Sequence, residues 1–402
     1  MSPDRLERTV LLVVHTGRDD LNSFKAELAT RTNPRGVTGG VAEAVDGADM
    51  FLGLSAGVVP EEIIAAAGFL PYRVRGVGAD STSIADTYYG PVICSYPKCI
   101  LQLAGEGKFN FLDGIIFSPG CDSIRRLDDC WRKAAEESHG VFPAYRFYLG
   151  IPHKVTDYSL EWFISEIRRF IDSLSEHFGI TISDHALRAS IKEYNQSRTL
   201  LKKIDELRFQ DHVPISGADA TAVIIAANAM PREAYNNALE KLIATLKKSK
   251  NGLNGKKRLL LGGSAHDDAD IVALIESSGV VVVGDTLCFG SRSYVDLIEE
   301  DGDPVKAIAA RYLSRKLCPR VFGSYKDRLA YMRQRVKDTK ADAVILQNIR
   351  FCDMHGAENS LYERDLEAAG IPCLKLEREY GPMAEEGRIK MRVDAFVENL
   401  RV

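Results

Sequence analysis

Two apolar, strand-like runs in this chain end in the same dipeptide, Cys-Asp, and this repetition constrains the fold more than any other feature. The run LDGIIFSPG is followed by Cys121 and Asp122, and the run ADAVILQNIRF is followed by Cys352 and Asp353. Open α/β sheets bind their ligands beyond the carboxyl ends of the strands, so we expect both cysteines at such edges. The repetition predicts two equivalent α/β units that direct cysteines toward one place.

The order of apolar runs along the chain predicts how these units are arranged. A length of 402 residues is too great for one ordinary hydrophobic core, so several domains are expected. Alternating strand and helix patterns predict an α/β fold with two Rossmann-like or flavodoxin-like parallel-sheet domains joined by a helical segment. The predicted parts are a partly helical leader at 1–48, a first α/β domain at 49–155, a connector of three long helices at 156–254 and a second α/β domain at 255–402.

Composition and charge exclude several classes of protein. An apolar content of 45% and a charged content of 27% are typical of a soluble globular protein. The formal net charge of −4 gives no electrostatic reason to bind nucleic acid or an anionic membrane. No apolar run approaches the roughly 20 residues that span a bilayer, and the first residues do not form a signal peptide. We therefore expect a cytoplasmic protein.

The cysteines are numerous for an intracellular chain. They stand at positions 94, 99, 121, 130, 288, 318, 352 and 373. Disulfides are not expected in a reducing compartment, which leaves buried thiols or metal ligands. Cys94 precedes a helical pattern, where free amides and the helix dipole would stabilise a thiolate. No Cys-x-x-Cys pair or zinc-like Cys/His spacing occurs, so an iron–sulfur cluster is favoured over zinc.

Several separate motifs give this chain a resemblance to a known family. PEEIIAAAGFLPYRV, CSYPKC and DGIIFSPGCDSIRRL occur in its first half. ESSGVVVVGDTLCFGSRSY, DPVKAIAARYL, ADAVILQNIRFCD, AAGIPCLKLERE and RVDAFVENL follow in its second half. In this order they resemble the 2-hydroxyacyl-CoA dehydratase and benzoyl-CoA reductase subunit family, of the 2-hydroxyglutaryl-CoA dehydratase D-component type, over roughly residues 50–400.

The resemblance implies a cofactor, a reaction and a set of partners. By position, Cys94, Cys121 and Cys352 match the three ligands of a [4Fe-4S] cluster, in which one iron lacks a thiolate. In the dehydratases, one-electron reduction of an acyl-CoA thioester gives a ketyl radical that expels the 2-hydroxyl group; in the reductases, an aromatic ring accepts the electrons. The implied partners are a homologous subunit or a second copy of the chain, an ATP-dependent iron–sulfur activator protein and the acyl-CoA substrate.

Other residues near these motifs have two interpretations each. Glu62, close to Ser55, is either an acid/base or ligand-binding group of the site or a first-turn carboxylate that stabilises a helix. Asp122 and Asp353 are expected to cap helices rather than to react. His355 either donates to substrate or sulfide or lies on the surface. Arg292 either pairs with a CoA phosphate or carboxylate or forms an ordinary surface ion pair.

The remaining cysteines bear on whether the cluster is a single [4Fe-4S] cubane or a double cubane. A double-cubane [8Fe-9S] cluster needs about six thiolates, and Cys99, Cys288 and Cys318 would supply the second set. In the family, that class has a further cysteine shortly before the Cys-Asp motif, and none is present in GKFNFLDG. We therefore predict a single cubane, with Cys130 and Cys373 in the core. A reductase subunit and an electron-relay subunit that never meets substrate remain the alternatives to a dehydratase.

Overall fold

The computed structural model describes residues 50–138, 142–249, 252–381 and 385–400. The predicted leader at 1–48 lies outside these residues. Two four-stranded sheets dominate the described part, and every strand pairs in parallel with its neighbours. The predicted fold class, two parallel-sheet α/β units with a helical segment between them, is confirmed.

The first sheet has the order β2-β1-β3-β4. Its strands are β1 Phe51–Leu54, β2 Leu70–Arg73, β3 Gly114–Phe117 and β4 Tyr145–Tyr148. The helices of this unit are α1 Glu61–Ala66, α2 Ser95–Gly105 and α3 Asp122–Glu137. Gly68 ends the α1 region with a φ of 87°, a left-handed conformation that glycine adopts without steric cost.

Four helices connect the two sheets. They are α4 Asp157–Phe178, α5 Asp184–Phe209, α6 Gly217–Ala226 and α7 Arg232–Leu246. The sequence predicted only three, because α6 (GADATAVIIA) is short and apolar on nearly every face and therefore shows no amphipathic period. The side chain of its N-cap Ser216 accepts a hydrogen bond from the Asp219 amide, which fixes the start of the helix.

The second sheet repeats the arrangement of the first, with the order β6-β5-β7-β8. Its strands are β5 Lys257–Gly263, β6 Val280–Asp285, β7 Ala343–Ile349 and β8 Cys373–Arg378. Its helices are α8 Ala269–Glu276, α9 Pro304–Leu313, α10 Tyr325–Asp338, α11 Asp353–Glu367 and α12 Glu386–Asn399. None of the helices in the described ranges is long and apolar enough to cross a membrane.

Each sheet is covered by helices on both faces, which explains why its strands are continuous apolar runs. In β3, Ile115 and Phe117 pack on the side of α2 and α3, while Ile116 packs on the side of α1, α4 and α9. Phe289 and Ile349, both from the second unit, join the first of these clusters. The two sheets therefore share a core at the place where β3 and β7 end.

Candidate active site

Three helices begin near this shared core, and a cysteine is the N-cap residue of each. Cys94 precedes α2, Cys121 precedes α3 and Cys352 precedes α11. All three have extended backbone conformations, with φ values of −60°, −144° and −82°, and none uses its side chain to cap its own helix. Each thiol is therefore available at a helix N-terminus, where backbone amides and the helix dipole favour negative charge.

The chain forms a tight turn before the two cysteines that follow strands. After β3, the Gly120 amide donates to the Ser118 carbonyl at 2.8 Å and turns the chain into α3. After β7, Phe351 has a φ of 64°, an uncommon value for a bulky residue, and its side chain is 44% exposed. Backbone strain of this kind is concentrated at functional sites, and here it lies directly beside Cys352.

The three cysteines line one cavity of about 390 Å³, which we call the cysteine cavity. Cys94 is buried, and Cys121 and Cys352 are partly exposed. The other lining residues are Pro119, Gly120, Asp122, Ser123, Arg125, Tyr148, His153, Pro319, Arg320, Asp353 and Met354. The structure thus brings together the three cysteines that the sequence singled out from separate parts of the chain.

Burial favours the protonated forms of Cys94 and Cys121. Burial raises the pKa of Cys94 well above its usual value, and the neighbouring Cys121 and Cys352 raise it further. Burial also raises the pKa of Cys121 to about 12, although the Ile124 amide acts in the opposite direction. A metal group bound by these sulfurs would supply the compensating charge and release the protons.

The geometry does not suit a single metal ion. Within the described residues, no three His, Cys, Asp or Glu side chains lie close enough around one point to hold an ion. The cysteines instead surround a larger space, and thiolates are the usual ligands of iron–sulfur clusters. The donor set and the cavity therefore fit a polynuclear cluster better than zinc.

Basic side chains also line the cysteine cavity, and sequence reasoning missed them. Arg320 is buried and donates to the Pro152 carbonyl, but its Nε and Nη2 atoms have no partner among the described residues. His153 bonds through Nδ1 to the Arg320 carbonyl at 3.0 Å, and Arg125 lines the same space. No local pattern around Arg320 distinguishes it from a surface arginine, because its burial depends on packing between distant segments.

Comparison with known proteins identifies the family of this chain. The family described as 2-hydroxyglutaryl-CoA dehydratase, D-component, matches residues 57–400. The chain belongs to this family. It is 28% identical to a subunit of benzoyl-CoA reductase from Thauera aromatica over 73% of this chain and 76% of that protein. It is 25% identical to the (R)-phenyllactyl-CoA dehydratase beta subunit of Clostridium sporogenes over 85% of this chain and 89% of that protein.

Membership of the 2-hydroxyglutaryl-CoA dehydratase D-component family confirms the resemblance seen in the motifs. The chain is also 23% identical to the (R)-2-hydroxyglutaryl-CoA dehydratase beta subunit of Acidaminococcus fermentans, over 85% of this chain and 90% of that protein. The relatives are named as subunits of dehydratase or reductase enzymes, which supports the prediction that this family member is an enzyme subunit.

Ser55 lies at the same edge of the first sheet as Cys121. It follows β1, and its amide donates to the Ile116 carbonyl of β3 at 3.0 Å. Its hydroxyl is buried and has no partner among the described residues. An unsatisfied buried hydroxyl is costly, so its retention is consistent with a ligand that would bond to it.

Glu62 does not line the cysteine cavity. Its carboxylate forms a buried ion pair with Arg198 and accepts a hydrogen bond from the Tyr312 hydroxyl at 2.9 Å. Burial acts to raise its pKa, but Arg198 and Arg311 outweigh burial and lower it. Glu62 is therefore an ionised, fully paired group at the start of α1.

His355 and Arg292 also lie away from the cysteine cavity. Both line a separate small cavity of about 20 Å³ together with Arg328 and Glu358. Burial, helped by Arg292 and Arg328, holds the pKa of His355 well below its usual value, so this imidazole is neutral. Arg292 is buried and donates to the Leu317 carbonyl at 3.0 Å. Neither residue contacts the space that the three cysteines share.

The remaining cysteines lie outside the lining of the cysteine cavity. Cys99 is fully buried, and its sulfur donates to the Tyr380 carbonyl at 3.5 Å. Cys288 accepts a hydrogen bond from Arg73 at 3.1 Å. Cys318 is near enough to Cys121 to contribute to the increase in the pKa of Cys121. The other two, Cys130 and Cys373, pack in apolar clusters, although Cys373 in β8 is only partly buried.

The expectation that Asp122 and Asp353 cap their helices is wrong by one position. The structure makes Cys121 and Cys352 the N-cap residues, and each aspartate is the first residue inside its helix. An aspartate in the first turn still stabilises the helix through the dipole. Both aspartates also line the cysteine cavity.

Proposed function

We propose that this chain is the iron–sulfur subunit of a 2-hydroxyacyl-CoA dehydratase and that Cys94, Cys121 and Cys352 hold its [4Fe-4S] cluster. One observation carries the proposal: three N-cap cysteines, from both α/β units, line a single cavity. Three helix N-termini directed at one space favour an electron-rich group there. When bound, such a cluster supplies single electrons and a Lewis-acidic iron for the thioester oxygen.

The residues around the cysteine cavity suit an acyl-CoA substrate. Arg320 has two guanidinium nitrogens without partners among the described residues, and Arg125 lies on the same lining, so both are suited to hold anionic groups of the acyl-CoA. The Ser55 hydroxyl is a donor at the edge of the same sheet. Their role would be to orient the thioester carbonyl and the 2-hydroxyl group that leaves as water.

The chain would work with two protein partners. The named relatives are single subunits of larger enzymes, which supports a dimer with a homologous subunit or a second copy of this chain. Electrons would come from an ATP-hydrolysing iron–sulfur activator. One electron would reduce the thioester, the 2-hydroxyl group would leave as hydroxide, and a β-proton would be lost. The electron would then return from the product radical, so the reaction would have no net redox change.

A reductase subunit is the second candidate, supported by the similarity to the benzoyl-CoA reductase of Thauera aromatica. The double-cubane alternative is less well supported, because two of its thiols already have protein partners. The Cys99 sulfur donates a hydrogen bond to a backbone carbonyl, and the Cys288 sulfur accepts one from Arg73. A relay subunit would use the same cysteines but would not bind acyl-CoA.

Measurement of iron and acid-labile sulfide tests the cluster assignment. We expect about four irons per chain after anaerobic purification, whereas a double cubane would give about eight. Cys121→Ala should remove most of the iron. Cys130→Ala is the matched control, because Cys130 lies on the same helix α3 but outside the cavity. Unchanged iron in Cys121→Ala would refute the assignment.

Substrate conversion separates the candidate functions. The chain, its partner subunit and the activator would be incubated with ATP and either a 2-hydroxyacyl-CoA or benzoyl-CoA. Formation of enoyl-CoA supports the dehydratase, and ring reduction supports the reductase. A cluster whose electron paramagnetic resonance spectrum is unchanged by every acyl-CoA tried would instead indicate a relay.

A further inference from the structure

A second cavity, of about 50 Å³, lies away from the three cysteines and is lined by an unusual number of basic groups. Its walls come from β2, the helices α5, α7 and α9, and the segment that follows β6. We call it the arginine cavity, and its charged and nucleophilic lining includes Arg73, Arg198, Arg232, Arg311, Arg315 and Cys288. All five arginine side chains are nine-tenths or more buried.

Two of these arginines have carboxylate partners. Arg198 pairs with Glu62, and Arg232 pairs with Glu61 and stacks on the ring of Tyr194 at 4.2 Å. Their positive charges are therefore balanced inside the protein. This is the ordinary way in which a buried arginine is stabilised.

Arg311 and Arg315 are not balanced in this way. Arg311 donates to the backbone carbonyls of Ser293 at 2.7 Å and Asp296 at 3.2 Å. Arg315 donates to the carbonyl of Gly57 and to that of Arg292, the latter at 2.7 Å. Neither forms an ion pair with a carboxylate in the described ranges. Tyr312 and Glu62 act to raise the pKa of Arg311, but the hydrogen bonds of the Glu62 carboxylate go to Arg198 and Tyr312. Buried charge without a counterion is costly.

Burial acts against the positive charge of Arg311. Burial lowers the pKa of Arg311 to about 9, and repulsion by Arg198 and Arg315 contributes to this decrease. A guanidinium group keeps its proton in proteins, so the depressed pKa measures how poorly its charge is compensated. A negative charge among Arg198, Arg311 and Arg315 would remove that penalty.

Arg73 and Cys288 form the opposite wall of the cavity. The Arg73 guanidinium lies 3.4 Å from the ring centroid of Phe289 and donates to the Cys288 sulfur at 3.1 Å. Its Nε has no partner among the described residues. Even a Cys288 thiolate leaves the cavity with more guanidinium groups than negative groups, so a further anion would reduce the excess of positive charge.

We propose that the arginine cavity binds one oxyanion the size of phosphate or a carboxylate, held by Arg311, Arg315 and Arg73. The small volume excludes a nucleotide or a whole coenzyme A, and the excess of guanidinium groups excludes a cation. Phe289 lines this cavity and also packs in the apolar cluster that contains Cys94. The oxyanion is therefore either free or the end group of an acyl chain that reaches past this ring.

Thermal unfolding in phosphate and in chloride at equal ionic strength tests the site directly. A ligand that binds only the folded state raises the unfolding temperature, so millimolar inorganic phosphate should raise it by about 2 °C or more over chloride. The proposed site needs no iron. The shift should therefore persist in the cluster-deficient Cys121→Ala variant, which separates the oxyanion site from the proposed cluster site.

Substitution of an unbalanced arginine gives the sharpest test. Arg311→Met should unfold at the same or a higher temperature than the parent in chloride, because it removes a buried, uncompensated charge, and it should lose the phosphate shift. Arg328→Met is the control, since Arg328 is also buried but pairs with Glu358 outside the cavity. It should unfold at a lower temperature and keep the phosphate shift.

Alkylation of Cys288 gives a second readout, and it does not depend on how well a variant folds. An oxyanion beside this sulfur blocks access and disfavours the thiolate, so phosphate should slow modification of Cys288, followed by mass spectrometry, at least about twofold.

Glutaryl-CoA and butyryl-CoA distinguish the two sources of the oxyanion. If only glutaryl-CoA raises the unfolding temperature in a way that depends on Arg311, the site binds the carboxylate of an acyl group. If phosphate alone does so, a free oxyanion suffices. Should neither probe produce an Arg311-dependent shift or protect Cys288, the proposal is overturned.

Discussion

The two sheets share one strand order, and in each unit the connection between the second and third strands along the chain carries a cysteine that lines a cavity. In the first sheet this cysteine is Cys94, and in the second it is Cys288. Cys94 faces two other thiols across the cysteine cavity, whereas Cys288 faces guanidinium groups in the arginine cavity.

The difference in neighbours reverses the chemistry of the two thiols. Burial raises the pKa of Cys94, and the sulfurs of Cys121 and Cys352 add to the increase. Burial acts in the same direction on Cys288, but Arg73 and other arginines outweigh it and lower the pKa of this thiol to about 7. Equivalent topology therefore positions a sulfur, and the side chains packed around it decide what the sulfur can do.

The first strands of the sheets show the same contrast. Ser55 after β1 and Ser264 after β5 each donate an amide hydrogen bond to the neighbouring third strand, at 3.0 Å in both cases. The Ser264 hydroxyl accepts from the Ile349 amide and bonds to Asn348, both at 3.1 Å. The Ser55 hydroxyl has no partner in the part of the chain that the structure describes. One serine is structural, and the other is available to a ligand.

Exchange of Cys94 and of Cys288 for serine should give the largest difference between the two units. Cys94→Ser is expected to lose most of about four irons per chain, because serine is a poor substitute for a thiolate ligand, whereas Cys288→Ser should keep them. Iron and sulfide analysis after anaerobic purification measures this. Equal iron loss in both variants would mean that the two cysteines are not functionally distinct.

The first helices of the two units should differ strongly in their sensitivity to a lost carboxylate. Glu62→Gln in α1 leaves Arg198 buried without its counterion, which should lower the free energy of unfolding by about 3 kcal/mol. Asp268→Ala removes the N-cap of α8 and should lower it by about 1 kcal/mol. Urea denaturation compares the two.

The pH dependence of the Glu62 effect has a defined sign. Because its pKa is lowered in the folded state, its contribution is present above the usual carboxyl pKa of 4.5 and is lost as the pH falls through the folded-state value. The difference between Glu62→Gln and the parent should therefore shrink in acid. A difference that grows toward low pH would contradict the ion pair.

Removal of Arg73 should make Cys288 resemble an ordinary thiol. In the parent, alkylation of Cys288 should increase with pH through about 7, and in Arg73→Met the midpoint should move toward the usual 9.0 by about one unit. The pKa of Cys288 is lower in the folded protein than in the unfolded chain. The stability that its thiolate contributes is therefore present above pH 9.0 and is lost as the pH falls through about 7. An unchanged midpoint would remove Arg73 as the cause.

The two serines should give the smallest effect. Ser264→Ala is expected to destabilise the protein by about 1 kcal/mol, because it leaves the Ile349 amide unpaired, and Ser55→Ala should change stability by less than half of that. Ser55→Ala should instead lower turnover of the assembled enzyme. If Ser55→Ala proves as destabilising as Ser264→Ala, its hydroxyl has a structural partner after all.

The sequence by itself determined the two parallel-sheet units and the cysteines at their edges. These features are local: an apolar run followed by Cys-Asp and a helical pattern puts Cys121 or Cys352 at a strand's carboxyl end, whatever the rest of the chain does. The family motifs added Cys94. The short helix α6 was missed because an all-round apolar segment has no period that distinguishes it.

Only the tertiary structure decided which polar groups meet and how each is charged. Arg73, Arg198 and the neighbouring pair Arg311 and Arg315 come from three separate segments. All four resemble surface arginines in sequence, yet they are buried around one small cavity. The sequence around Glu62 looks the same whether this residue belongs to a functional site or to an ion pair. Packing against α5 places Arg198 beside it as its partner. Burial and pairing depend on contacts between distant segments, and those contacts set the pKa values and therefore the chemistry.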